Sequence, residues 1–384
     1  MKSKNIRSEI VTLQEDLKKI PSYLFTVIKG QEEDIIPGFS DLDLRIVVDT
    51  DSIEELNKIN EILLNGYKKI IKKSKVKFRM FEHPPLILNY KLLKKGLGNA
   101  NEISTWYFMG GKTSIFTEIK KLYLGSNFSI SDEKRFRGVL ANKENYNVEG
   151  ELFYDFIDVN TQKKYFLAWH YYSTSVYVFM SLYLKKRLSG KSQGLRMTKK
   201  YFPNLVYANK NKLLKSVIDK DVGVSDFQRN LMKDWYFISE AVGKENSKSS
   251  VTSEKMDILR LCYISVVLSL NKISRLNIYL GEILHSLNFS EELTENLVIR
   301  EIEDVSMIYG SYTKALKYVL NDKGNKSKEV KVFEEMLLRF DNLLKDKTPD
   351  LVNLKKYLVF FEDNIKVMQD FFYEYLMINY KIKW

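Results

Sequence analysis

The sequence predicts an α+β fold: a small mixed β-sheet with flanking helices over residues 1–130, followed by a large all-helical region. Three observations predict it. Four of the six prolines (Pro21, Pro37, Pro84 and Pro85) fall early, leaving only Pro203 and Pro349 to interrupt the rest of the chain. Proline removes a backbone donor and clashes with the preceding turn, so its scarcity permits long helices downstream. Short β-branched runs alternate with helical periodicity before residue 85, and from about residue 115 the periodicity is helical. The third observation is size and balance: 384 residues, 45% hydrophobic and 29% charged, are enough for two domains, or one large one, with a sizeable core.

Taken in order, residues 6–19 place Ile6, Ile10, Leu13 and Leu17 at helical spacing, and Pro21 ends that helix. Tyr23 to Ile28 is a β-rich run stopped by Gly30, and a turn-rich loop from Gln31 to Ser40 contains Pro37-Gly38. Leu42 to Val48 reads as a second strand. Residues 51–72 read as a helix, with Asp51 or Ser52 as its N-cap and Glu54 and Glu55 in the first turn, where the helix dipole favours acids. Val76 to Phe81 reads as a third strand ending before Pro84-Pro85. Helical segments are expected at 115–124, 162–188, 207–219, 226–242, 254–285, 291–320, 329–345 and 351–380. The polar stretches Gly243 to Ser253 and Asn321 to Ser327 read as loops, and the former divides the helical region into 131–245 and 246–384.

Composition narrows the function classes. Cys262 is the single cysteine, so no intrachain disulfide forms and a reducing cytoplasm is the default expectation. Its apolar neighbours Leu259, Leu261, Tyr263 and Ile264 make it read as a packed thiol rather than a nucleophile. The N-terminus runs into charged sequence without an apolar signal segment. Residues 165–184 carry no formal charge, but His170, Ser173, Thr174, Ser175, Ser181 and several tyrosines make them read as a buried helix and not a membrane span. No membrane association is therefore expected. The formal net charge of +12 favours anionic partners such as nucleoside triphosphates, nucleic acid or acidic surfaces. The excess is dilute and mostly lysine, so it permits these partners without selecting among them.

Chemistry concentrates between Gly30 and Leu44. An Asp-x-Asp pair on a strand puts both carboxylates, Asp41 and Asp43, on one face, because side chains alternate with period two. Two ionised carboxylates side by side repel, and a divalent cation held between them offsets that cost. Magnesium suits the arrangement, since it takes a few carboxylates and fills its other positions with water and substrate phosphates.

This run resembles the signature of the DNA polymerase β-like nucleotidyltransferase superfamily: a glycine pair or Gly-Ser at a strand end, a spacer, then Asp-x-Asp between apolar residues. Nine residues separate Gln31 from Asp41, and Gly38-Phe39-Ser40-Asp41-Leu42-Asp43-Leu44 is similar to the version found in aminoglycoside- and lincosamide-type and minimal nucleotidyltransferases. The resemblance covers residues 20–130. It implies a catalytic domain over 1–130, with residues 131–245 completing the active site. It implies that Asp41, Asp43 and Glu82 are the catalytic carboxylates and the ligands of two Mg2+ ions. Gly30, Gln31, Ser40 and Lys199 are the implied nucleotide contacts, with Gln31 standing where the family has a phosphate-binding serine.

The implied reaction transfers a nucleoside monophosphate from an NTP, with ATP the expected co-substrate, to a hydroxyl of a small-molecule acceptor. RNA or protein is the alternative acceptor. A third reading is a catalytically silent scaffold whose helical half binds a partner; Gln31 favours it, and retention of Asp41-Leu42-Asp43 argues against it. Gly110-Gly111-Lys112-Thr113 is not a Walker site, because the position that requires its first glycine is Trp106, and a turn is expected there.

Overall fold

The computed structural model describes residues 4–31, 43–74, 85–124, 176–203, 251–284, 291–323, 327–345 and 350–380, together with the isolated residues 128, 132, 133, 136, 173, 174 and 348. The first helix, α1 (Lys4–Leu17), packs Leu13 and Leu17 into the core and ends ahead of Pro21. Strand β1 (Tyr23–Lys29) is buried up to its last residue, and β2 (Leu44–Val48) is buried along its length. Both are buried continuously rather than in alternation, the pattern of strands covered on both faces. Helix α2 (Ile53–Ser74) follows, with Ser52 accepting from the Glu55 amide at its start, while Asp51 instead accepts from the Asn89 side chain.

The chain then re-enters the sheet as β3 (Leu86–Asn89), parallel to β2 with Arg45 opposite Leu86. A parallel pair needs a long crossover, and α2 supplies it. Asn89 caps the short α3 (Tyr90–Lys94), Asn99 caps α4 (Ala100–Thr105), and β4 (Trp106–Gly111) leads into α5 (Thr113–Leu124). Among the described residues the sheet has the order β3-β2-β1-β4, with β1 antiparallel to both of its neighbours. The fold is α+β with a small mixed sheet, as the sequence predicts.

One expectation lies beyond the described residues and another is corrected. The strand expected at Val76–Phe81 falls outside the described residues, and the described strand beside β2 lies after the two prolines, at Leu86–Asn89. The turn expected at Gly110-Gly111 is the end of β4. Gly111 has φ +107° and faces Phe25 on β1, where a Cβ would sit 2.4 Å from the Leu24 carbonyl oxygen. Only glycine combines that backbone with so close an approach.

Among the described residues the helical part includes α6 (Lys191–Tyr201), α7 (Val251–Leu284), α8 (Glu291–Lys323), α9 (Lys328–Leu343) and α10 (Leu351–Asp370). A π-helical turn (Phe371–Leu376) and the short α11 (Met377–Asn379) follow α10. Helix α7 begins inside the stretch expected to be a loop, at Val251, and α8 runs to Lys323 before Ser327 caps α9. The helices expected at 207–219 and 226–242 lie outside the described residues. Large aromatics fill the core, with Phe333 and Phe371 stacked at 3.7 Å and Tyr312 set edge-on to Phe333.

Helix α7 joins this bundle to the sheet. Asn271 donates to the Ile87 carbonyl at 3.2 Å, and Asn60 on α2 donates to Ser274 at 2.7 Å. The Tyr263 hydroxyl lies 3.5 Å from the Asn89 carbonyl. These contacts cover the open edge of β3, which otherwise presents unpaired backbone groups. Cys262 is buried here and unbonded to any other cysteine, and burial pushes its thiol pKa up, consistent with a packing role. Among the described residues no helix is long and apolar enough to cross a membrane.

Candidate functional site

The end of the sheet where β1 stops and β2 begins gathers the charged side chains. The antiparallel ladder continues past Ile28 and Leu44, with the Lys29 amide donating to the Asp43 carbonyl at 3.0 Å. Lys29 and Asp43 are therefore directly opposite, on one face of the sheet. Arg45 follows Asp43 by two residues and shares that face. The Lys29 ammonium lies 3.2 Å from Asp43 Oδ2, and Arg45 Nη1 lies 3.6 Å from Asp43 Oδ1. Arg45 Nε donates to Glu102 Oε1 at 2.7 Å, which ties α4 into the same chain of alternating charges.

Burial makes these pairs matter. The side chains of Asp43, Arg45 and Glu102 are 18%, 10% and 18% exposed. The charge of Asp43 is the main reason the Lys29 ammonium pKa lies above its ordinary value. For Glu102, burial pushes the carboxyl upward, but the charges of Arg45 and Lys29 and the hydrogen bond from Arg45 outweigh it, so the pKa is lowered. A water-shielded carboxylate faced by cations on both oxygens is a position suited to positive charge.

Of the expected nucleotide contacts, Gly30 has φ +96° just after β1, and among the described residues nothing lies within 4 Å of where a Cβ would sit. Gln31 follows it, and its Nε2 donates to the Thr105 carbonyl at 3.1 Å and the Ser189 carbonyl at 3.0 Å. That amide braces the turn between the end of α4 and the segment entering α6. Ser104 adds a bond to the Leu188 carbonyl at 3.4 Å. Lys199 is exposed on α6, whose neighbouring Thr198 is buried and bonded back to the Gly194 carbonyl. Asp41, Ser40 and Glu82 lie outside the described residues. Among the described residues no group of three or more His, Cys, Asp or Glu side chains could hold a metal ion.

Sequence reasoning missed Lys29, Arg45 and Glu102. The first two were legible in principle, because a lysine at the end of one strand and Asp-x-Arg at the start of the next become cross-strand neighbours once the hairpin is paired. Glu102 carried no such signal. It arrives from a short helix 57 positions from Arg45 in the chain.

The Gly-Gly-Lys-Thr segment joins a strand to a helix, but its backbone serves the sheet: Gly111 pairs with Phe25, and the Lys112 amide donates to the Leu24 carbonyl at 2.7 Å. Comparison of the chain with protein-family models, curated proteins and solved structures finds no match.

Proposed function

We propose that the protein is a metal-dependent nucleotidyltransferase that transfers a nucleoside monophosphate from an NTP, ATP being the expected one, to a hydroxyl of a small cytoplasmic molecule. The observation that carries the reading is Asp43. It is the second acid of the Asp-x-Asp pair, stands just before β2 opposite Lys29, is shielded from water, and is matched by positive charge on both oxygens. The topology supports it as well. Strand β3 runs parallel to β2 and enters the sheet at the end where Asp43 stands, and Glu82 precedes Leu86 by four positions in the sequence.

This reading assigns Asp43, Asp41 and Glu82 as ligands, carboxylate oxygens of the kind a hard divalent cation takes. When bound, Mg2+ neutralises the triphosphate and lowers the pKa of the acceptor hydroxyl. The chain's own groups do the rest. Gln31 holds the chain after Gly30 against Thr105 and Ser189. Arg45, pinned by Glu102, keeps Asp43 oriented.

The silent-scaffold reading is favoured by a specific observation. Gln31 spends its amide donors on two backbone carbonyls instead of offering a small hydroxyl to phosphate. One experiment separates the two readings. NTPs are titrated with magnesium into wild type, Asp43→Asn and Gln31→Ala by calorimetry, and pyrophosphate release is followed with hydroxylated acceptors, then with RNA. Magnesium-dependent binding lost in Asp43→Asn supports the transferase. No binding by wild type refutes it in favour of the scaffold.

A further inference from the structure

The two cations on Asp43 are held in different ways. Arg45 is 10% exposed, bonded through Nε to Glu102 at 2.7 Å and through Nη1 to the Leu44 carbonyl at 3.1 Å. A guanidinium fixed on two sides is part of the fold, and moving it strands a buried carboxylate. Lys29 is 46% exposed and reaches Asp43 Oδ2 at 3.2 Å on a flexible four-carbon stem. It is the last residue of β1, next to Gly30.

We propose that Lys29 is an exchangeable counter-ion: its ammonium balances Asp43 in the nucleotide-free protein and passes to the polyphosphate of an incoming nucleoside triphosphate, releasing Asp43 to the divalent cation. The inference rests on the nucleotidyltransferase reading and adds a residue the Asp-x-Asp pattern does not include.

Charge balance gives the exchange its direction. Among the described residues, Lys29 and Arg45 offset Asp43 and Glu102, two charges against two. A divalent ion at Asp43 then faces the ammonium as a like charge, a repulsion that persists within a Debye length. The arriving polyphosphate supplies the negative charge that draws the ammonium away, forming a charge-assisted hydrogen bond. Arg45 stays with Glu102 throughout, so Asp43 keeps its orientation while its second oxygen changes partner.

The prediction is a pair of effects of opposite sign. Lys29→Met removes the competing cation, so Mn2+ alone, followed by its electron paramagnetic resonance signal, binds ~5-fold tighter than to wild type. The same variant loses the phosphate contact, so the magnesium complex of a non-hydrolysable ATP analogue, followed by calorimetry, binds ~10-fold weaker. Lys29→Arg restores most of the analogue binding, because it returns a cation of similar reach. Circular dichroism melts confirm that each variant is folded, and Lys29→Gln provides a second neutral side chain should Lys29→Met melt early.

Weaker Mn2+ binding by the neutral variants, or unchanged analogue binding, overturns the exchange. Asp43→Asn separates this failure from failure of the parent reading. If Asp43→Asn loses both ligands while Lys29→Met behaves as wild type, only the exchange is wrong. If wild type binds neither ligand better than Asp43→Asn, the nucleotidyltransferase reading falls and the exchange falls with it.

Discussion

Between α7 and α8 lies a cluster of two cations and two carboxylates whose removal one residue at a time has a calculable cost. Lys272 is fully buried and pairs with Glu301 and, at 2.9 Å, with Asp304. Arg275 is 4% exposed and donates to Glu301 at 2.9 Å through Nε, with its Nη2 3.5 Å from Asp304. Glu301 is 1% exposed and touches both cations, whereas Asp304 is 32% exposed. Glu301→Gln therefore leaves, among the described residues, two buried cations facing one partly hydrated carboxylate. Breaking a buried pair from one side costs about 3–5 kcal/mol, most of it the uncompensated charge.

The double variant Lys272→Met/Glu301→Gln leaves Arg275 with Asp304, one charge of each sign, and its expected loss is smaller, about 1–2 kcal/mol. Urea unfolding followed by helical circular dichroism measures both, and the expected order of midpoints is wild type, double variant, then Glu301→Gln. If the double variant is no more stable than Glu301→Gln, the cost lies in lost packing and the charge argument is refuted.

Two further outcomes follow from the sheet. Gly111→Ala forces a side chain onto φ +107° and a Cβ to 2.4 Å from the Leu24 carbonyl, so it lowers stability by about 3 kcal/mol or more in the same urea assay. The Tyr23 hydroxyl donates to the Gly110 carbonyl and accepts from the Thr26 hydroxyl in a buried pair, and burial is the main reason its pKa rises from 10.0 to about 12. A folded pKa above the unfolded one means that this contribution is fully present below pH 10 and is lost as pH rises towards 12. Tyr23→Phe accordingly flattens the fall of the unfolding midpoint over that window, and an ultraviolet tyrosinate titration of the folded protein loses one late-ionising group.

What the sequence determines by itself is local. Apolar spacing at Leu13 and Leu17 gives α1, the β-branched run at Ile46 to Val48 gives β2, Ser52 with Glu54 and Glu55 starts α2, and sparse prolines allow helices as long as α7 and α8. The Gly30 turn and the Asp-x-Asp pattern that brings Asp43 into the site are also legible there, because turn geometry and strand alternation act over a few residues.

Tertiary structure decides what depends on pairing between distant segments. Trp106–Gly111 opens with three strand-favouring aromatics but ends in two glycines, and its length and register as β4 are set by pairing along β1, where Gly111 fits as only glycine can. Leu86–Asn89 becomes β3 between Arg45 to Val48 on one side and Asn271 and Tyr263 of α7 on the other. Glu102 joins Asp43 through Arg45 only when α4 is docked, and Gln31 becomes a brace only when Thr105 and Ser189 meet at the Gly30 turn. Hydrogen bonds and ion pairs such as these join positions dozens of residues apart, and no local periodicity encodes which partner will arrive.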